Sequence, residues 1–131
     1  MLHSIAVKDY MSASLVTFTP DMNVLSAIHA MIQNRISGAP VVDERGNLVG
    51  LLSEKDCMQV ALNAGYHGDY GGRVSEFMSH KVRTVDADMS ILEVAKLFLE
   101  ENLRRYPVMD GNRLVGQVSR RDVLKALEFL W

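Results

Sequence analysis

Leu48-Val49-Gly50-Leu51-Leu52-Ser53-Glu54-Lys55-Asp56 is answered later in the chain by Leu114-Val115-Gly116-Gln117-Val118-Ser119-Arg120-Arg121-Asp122. Each stretch opens on Leu-Val-Gly, continues for two residues and closes on Ser-x-x-Asp. The correspondence extends in the N-terminal direction through Val7/Val74, Met11/Met78, Ser12/Ser79, Thr17/Thr84, Asp21/Asp88, Met22/Met89, Leu25/Leu92, Pro40/Pro107, Val41/Val108 and Asp43/Asp110. The chain is therefore a duplication, with repeats over residues 1–64 and 74–131 and a glycine-rich connection over 65–73. Apolar and turn positions would persist in any duplicated fold. The polar pairs Thr17/Thr84, Ser53/Ser119 and Asp56/Asp122 sit at element ends, and they are the positions where chemistry can reside.

The chain has 131 residues, enough for one compact core, and each repeat alone is too short to bury a large one. With 48% hydrophobic and 23% charged residues, the composition is that of a soluble globular protein. Apolar clusters such as Ala27–Ile32 and Val94–Leu99 contain His29 or Lys96 and are far too short to span a bilayer, so no membrane insertion is expected. The N-terminus lacks the basic start and apolar run of a signal peptide, and Cys57 is the single cysteine. Both features suit a cytoplasmic, reducing compartment. A net charge of −2 disfavours a sequence-independent grip on nucleic acid, which needs a basic face.

Each repeat reads as short helix, strand, helix, strand, strand, helix. Leu15–Phe18 has strand character, and Thr19-Pro20-Asp21 then starts a helix with Val24, Leu25, Ile28, Met31 and Ile32 at helical spacing. In the second copy Ile91, Leu92, Ala95, Leu97, Phe98 and Leu99 form the apolar face, with Asp88 or Ser90 as the cap. Glu44-Arg45-Gly46-Asn47 and Asp110-Gly111-Asn112 are hairpin turns between apolar runs. A helix follows each hairpin, starting at Ser-x-x-Asp. Between the copies, Gly65-Tyr66-His67-Gly68-Asp69-Tyr70-Gly71-Gly72 reads as a loop; no Lys-Ser/Thr follows Gly72, so it is not a phosphate-cradling loop.

A serine where a strand becomes a helix ordinarily caps the first-turn amides, and an aspartate three residues on complements the helix dipole. The same helix start offers N–H groups to an anion, a hydroxyl to orient it, and a carboxylate able to accept two bonds from a vicinal diol. Phosphate and ribose together ask for that set. Its occurrence in twin copies, each with a threonine at the end of the first strand, favours the ligand reading beside the capping one.

The doubled pattern resembles the CBS domain over essentially the whole chain. The resemblance rests on the openings Val7–Met11 and Val74–Met78, and on Ala39-Pro40-Val41-Val42-Asp43 and Tyr106-Pro107-Val108-Met109-Asp110. It rests also on the two Gly-hydrophobic-hydrophobic-Ser-x-x-Asp endings, with Gln117 a departure from the apolar residue that the family prefers. It implies an α+β fold of tandem βαββα repeats packed around a pseudo-twofold axis, with small three-stranded sheets and helices on one side. It further implies adenosine ligands, with Asp56 and Asp122 on ribose hydroxyls and Ser53 and Ser119 near ribose or phosphate. By the same resemblance, Thr17 and Thr84 lie near the ligand bound mainly by the other repeat, and the backbone of Ser37-Gly38-Ala39 and Arg104-Arg105-Tyr106 meets adenine. Arg104, Arg105 and Arg120 would approach phosphate; the first repeat lacks arginine at Ser37-Gly38, so the sites need not be equivalent.

AMP, ADP or ATP is the expected ligand class, ahead of S-adenosylmethionine or NAD, and no cofactor is required. The resemblance implies a homodimer packed through the long helices. The repeat pair fills the chain, so its effector, an enzyme or transporter, is expected to be a separate protein. His3, His29, His67 and His80 are scattered and none pairs with Cys57 at metal spacing, so no metal site is assigned. No nucleophile with a neighbouring base is visible, so no catalytic residue is assigned either. A regulatory, energy-sensing binding module is the leading expectation. The competing ones are an adaptor with empty or vestigial sites, and an enzyme acting on a nucleotide.

Overall fold

The computed structural model describes residues 5–69 and 71–130; His3 and Tyr70, named above, lie outside them. The chain forms two compact units, one of Val16–Val82 and one of Met1–Leu15 with Arg83–Trp131. Packing thus groups the opening of each repeat with the body of the other.

In the Val16–Val82 unit, Phe18 makes a single parallel bridge to Val41, where the sequence suggests a strand over Leu15–Phe18. Helix α1 (Val24–Asn34) follows, then the hairpin β1 (Gly38–Val42) and β2 (Leu48–Ser53), and helix α2 (Glu54–His67). The first helix starts later than Thr19-Pro20-Asp21, because the Asn23 side chain accepts the Leu25 N–H and supplies the cap. It ends where Arg35 turns left-handed, at φ 53°. Helix α2 runs through Gly65, Tyr66 and His67, which the sequence places in the connecting loop, and ends at Gly68 with φ 65°. A glycine near a helix end costs only about 1 kcal/mol against alanine, less than the helix gains by continuing to its left-handed terminator. The unit closes with α3 (Val74–Phe77). Its core comprises Phe18, Val24, Ala27, Met31, Ala39, Val41, Leu52, Cys57, Val60 and Val74.

The second unit begins with a tight 3-10 turn over Val7–Asp9 and continues with β3 (Val85–Asp86), α4 (Ile91–Glu100), β4 (Arg105–Asp110), β5 (Arg113–Ser119) and α5 (Arg120–Leu130). Strand β3 runs parallel to β4, which pairs antiparallel with β5, giving a three-stranded sheet. Of the two candidate caps for α4, Ser90 serves, accepting the Leu92 N–H at 3.2 Å. The core residues Val85, Ile91, Val94, Phe98, Tyr106, Val108, Val118, Val123 and Ala126 repeat the first core position by position, with Val7 added from the chain's opening. Phe98 and Tyr106 stand where the first core has Met31 and Ala39, and their rings meet at 4.7 Å.

The openings dock identically in both units. Ser12 exchanges two backbone hydrogen bonds with Gln117, both 2.9 Å, and Ser79 does the same with Leu51 at 2.9 and 3.0 Å. Val7 and Val74, completely buried, plug the two cores. The approach is so close that a Cβ on Gly116 would lie 2.8 Å from the Ser12 carbonyl oxygen and against the Met11 sulfur. One on Gly50 would lie 2.9 Å from the Ser79 carbonyl oxygen. This explains the glycine of each Leu-Val-Gly: a side chain there would wedge the opening segment off its strand. We expect Gly116→Ala to lower stability by about 2 kcal/mol, the scale of overpacking. Gly65→Ala, with nothing within 4 Å of its added methyl, should raise it by about 0.5–1 kcal/mol through helix propensity. Thermal or urea unfolding of both variants measures the contrast.

Candidate functional site

Strand alternation divides each sheet into a core face and an open face. In the second unit the pairs Tyr106/Val118 and Val108/Gly116 belong to the core face, whereas Arg105/Ser119 and Pro107/Gln117 belong to the other. Val85 pairs with Val108 on the core face, so the preceding Thr84 falls on the open one. In the first unit Ala39/Leu52 and Phe18/Val41 are core pairs, leaving Thr17, Gly38, Leu51 and Ser53 on the open face. Thr17 and Ser53 flank β1 at one end of their sheet, and Thr84 and Ser119 flank β4 likewise. Each threonine is level with the residue two before its serine, Leu51 or Gln117, so two strand spacings across the sheet and two residues along it separate each pair, about 12 Å in all.

At that end each serine ends a strand and begins a helix. The Ser53 amide donates to Asp56 Oδ2 at 2.9 Å, and the Asp56 amide donates to Ser53 Oγ at 3.1 Å. The Ser119 amide donates to Asp122 Oδ2 at 2.9 Å, and the Asp122 amide to Ser119 Oγ at 3.2 Å. These are reciprocal capping boxes, so the capping role is real in both copies. It occupies only part of each group. Each carboxylate holds its backbone partner through one oxygen, its Oδ1 has no hydrogen-bond partner among the described residues, and each hydroxyl accepts while retaining its proton to donate.

The residues before each proline contribute backbone. Ala39 and Tyr106 are 1% and 0% exposed, their side chains lying in the cores. A Cβ on Gly38 would lie 3.0 Å from the Leu52 carbonyl oxygen, so this position is held to glycine by its hairpin partner. The Ser37 carbonyl accepts the Glu54 N–H at 2.9 Å, joining the strand entry to the start of α2. Arg104 is exposed and Arg105 half-buried. Arg120, also exposed, donates its Nε to the Leu103 carbonyl at 3.2 Å, which steadies the guanidinium beside the helix start. In the first unit Glu54 occupies the position of Arg120, so the second helix start is the more attractive to an anion. Gln117, which the sequence marks only as a departure, lies on the open face two residues before Ser119; period-two spacing could have placed it there.

Cys57 is buried, and that burial together with the nearby Asp56 pushes its thiol up, away from thiolate chemistry. Among the described residues no helix is long and apolar enough to cross a membrane.

Two small sheets, each ending in a capped helix start, are duplicated along this chain, and comparison with known proteins places that duplication in a family. The chain belongs to the CBS domain family, which matches residues 7–63 and 74–129. It is 34% identical over 119 residues to the CBS domain-containing protein YhcV of Bacillus subtilis, covering 90% of this chain and 82% of that one. The crystal structure of Arabidopsis thaliana CBSX2 in complex with AMP gives a TM-score of 0.83 at 28% identity, over 95% of this chain and 97% of that one. The CBS domain pair of protein MJ0100, in complex with 5′-methylthioadenosine and S-adenosyl-L-methionine, gives 0.78 at 27% identity, over 96% and 98%.

Beside the second site, the Tyr106 hydroxyl donates to Glu101 Oε1 at 2.8 Å, and Arg83 pairs with Glu101 at 2.8 Å. The Tyr106 hydrogen bond and the Arg83 charge hold Glu101 below the usual carboxylate range. Burial, reinforced by Glu101, pushes the Tyr106 phenol from 10.0 up to about 12. A raised tyrosine pKa contributes stability that is complete below pH 10.0 and is lost as pH rises toward about 12. Tyr106→Phe should therefore cost about 1 kcal/mol near neutrality, and the variant's deficit should shrink across that alkaline window. Chemical unfolding at several pH values checks this, and ultraviolet titration should lose its highest-pH phenolate step.

Proposed function

We propose that this protein is a regulatory module that binds adenosine-containing ligands of the AMP, ADP or ATP class and signals their presence to a separate effector protein. The observation that carries the reading is the twin Ser-Asp box. In each copy a helix N-terminus, a donating hydroxyl and a carboxylate oxygen outside the cap stand together at the end of an open sheet face. Asp56 and Asp122 hold ribose hydroxyls, and Ser53 and Ser119 orient ribose or phosphate. The backbone around Ser37-Gly38-Ala39 and Arg104-Arg105-Tyr106 flanks the base, with Thr17 and Thr84 nearby. Arg104, Arg105 and Arg120 make the second site the one for a phosphate-bearing ligand. The AMP complex of CBSX2 and the adenosyl complexes of MJ0100 support this assignment. Binding itself is the activity, and no catalytic step or metal is assigned.

Asparagine separates the capping and binding roles, because its carbonyl can still accept the serine amide while the charge and the second acceptor are lost. Asp122→Asn should stay within about 0.5 kcal/mol of wild-type stability, yet weaken AMP at its site by about 1.5–3 kcal/mol, the scale of hydrogen bonds to a charged group. Asp56→Asn should do the same at the first site. Calorimetric titration with AMP measures both. Wild-type affinity in the two variants would leave the boxes as caps alone and favour the adaptor alternative.

The module acts as a homodimer in this reading. Support comes from apolar side chains left on helix surfaces: Leu92 and Leu99 on α4 and Leu124 on α5 are 56%, 89% and 63% exposed. They line a groove of about 660 Å³. Leu25, Ile32, Met58 and Leu62 are similarly exposed in the other unit. Met31 and Phe98, on the same long helices, belong instead to the cores, because the helical face they share with Val24 or Ile91 turns inward. Light scattering at tens of micromolar should give twice the chain mass; a monomer there would remove the dimer from the reading.

A further inference from the structure

Four of the methionines in this chain stand in equivalent pairs, Met11/Met78 and Met22/Met89, at the seats of the two openings. The Val7 N–H donates to the Met89 carbonyl at 2.8 Å, and the Val74 N–H to the Met22 carbonyl at 2.9 Å. Met11 and Met78 do more than line the seat. Gly116 pairs with Val108 on the core face of its sheet, as Gly50 does with Val41, so each glycine leaves a gap where a side chain would project inward. The Met11 sulfur lies against the place that a Cβ on Gly116 would occupy, and the Met78 sulfur lies 2.5 Å from the corresponding place on Gly50. A thioether from the crossing segment thus fills the position of the missing side chain, and in each copy it packs against the core.

Both methionines are partly exposed, and each is followed by an exposed serine, Ser12 or Ser79, on a segment bridged to β5 or β2. Hydrogen peroxide is a small oxidant suited to a thioether so placed. An S–O bond forms and the O–O bond breaks; the sulfur gives up two electrons, and the departing hydroxide takes a proton to leave as water. The sulfoxide brings a polar acceptor oxygen to a place that held an apolar sulfur. Backbone donors beside it are committed. The Ser12 and Gln117 amides bond each other's carbonyls, as do those of Ser79 and Leu51, while the Met11 and Met78 amides donate to the Val7 and Val74 carbonyls. The oxidised side chain therefore gains by turning out to water, which empties the gap over the glycine. We propose that Met11 and Met78 are redox-sensitive latches, whose conversion to the sulfoxide unseats the openings and whose reduction seats them again. Three residues separate Gly50 from Ser53 and Gly116 from Ser119, so a released latch loosens the frame on which each helix-start serine stands. The device does not depend on the adenosine-binding reading.

The test exposes the full chain to hydrogen peroxide under native conditions, locates sulfoxide by peptide mass spectrometry and follows the melting temperature. Sulfoxide should appear at Met11 and Met78 as well as at Met58, which is 58% exposed on α2 and serves as the reference. The melting temperature should fall by about 5–10 °C, and methionine sulfoxide reductases should restore it. A thiol reductant alone, which reverses mild oxidation of Cys57 but not a methionine sulfoxide, should not. The Met11→Leu/Met78→Leu protein, with side chains of similar volume, should keep its melting temperature through the same treatment, whereas Met58→Leu should lose as much as wild type. Should the double variant not fold, Met11→Leu and Met78→Leu singly carry the comparison, each expected to show about half of the wild-type loss. Met11 and Met78 left unmodified where Met58 is oxidised overturns the proposal, as does an unchanged wild-type melting temperature with sulfoxide at both latches. An equal loss in wild type and in the leucine variants, or recovery with thiol alone, overturns it too.

Discussion

The contact on which the rest of this structure depends is the close approach of two backbones at Gly50 and at Gly116. The Met-Ser segment that opens each repeat crosses the final strand of its unit near enough to exchange paired hydrogen bonds with it. Only a residue without a side chain leaves room for the methionine sulfur and the serine carbonyl. With that segment seated, Val7 and Val74 enter the cores as fully buried plugs. The opening of the chain completes a core otherwise built from residues beyond Arg83, and the segment after the connection completes the core built before it. A repeat cut out alone would lack the residue that fills its own core, which is the physical reason the duplication occurs as a pair.

That arrangement consumes one face of each sheet. Helices α1 and α2, or α4 and α5, cover the side carrying Val41 and Leu52, or Val108 and Val118. Strand alternation then sends Thr17, Leu51 and Ser53, or Thr84, Gln117 and Ser119, to the opposite side. The hydrogen bonds that start α2 and α5 fix the serines and aspartates in position and leave a hydroxyl proton and a carboxylate oxygen outside the cap. A residue pair that stabilises a helix is thereby also a rigid polar fixture, and capping and ligand binding are compatible uses of one geometry.

The two copies have kept this frame while changing what stands on it. Glu54 against Arg120 inverts a charge at the helix start, and Ser37-Gly38 against Arg104-Arg105 leaves the first unit two cations poorer at its strand entry. Leu51 against Gln117 exchanges an apolar contact for an amide, and Ala39 against Tyr106 changes how the core beneath is filled. The ring of Tyr106 packs on Phe98 and reaches Glu101, so the second sheet is braced by a polar contact that the first does not have. Two helix starts descended from one sequence therefore differ in the charge and the polar groups around them.

The duplication, the hairpin turns, the amphipathic helices and the Ser-x-x-Asp helix starts were all determined by sequence alone, because each depends on interactions spanning only a few residues. Periodicity marks a helix face, a glycine marks a turn, and a serine three residues before an aspartate marks a cap. Where the first helix begins was less legible: Thr19-Pro20-Asp21 reads as its start, whereas in the folded chain the Asn23 side chain accepts the Leu25 N–H and caps it. The bridge at Phe18, the helical course through Gly65 and the burial of Met31 and Phe98 likewise turn on neighbours distant in the chain. Tertiary structure alone decided which opening joins which core, because that pairing is a matter of van der Waals room at Gly50 and Gly116 across long sequence separations. It alone decided, too, that the side-chain oxygen of Gln117 is buried without a hydrogen-bond partner among the described residues, because alternation gives a strand residue its face but not what packs around it there.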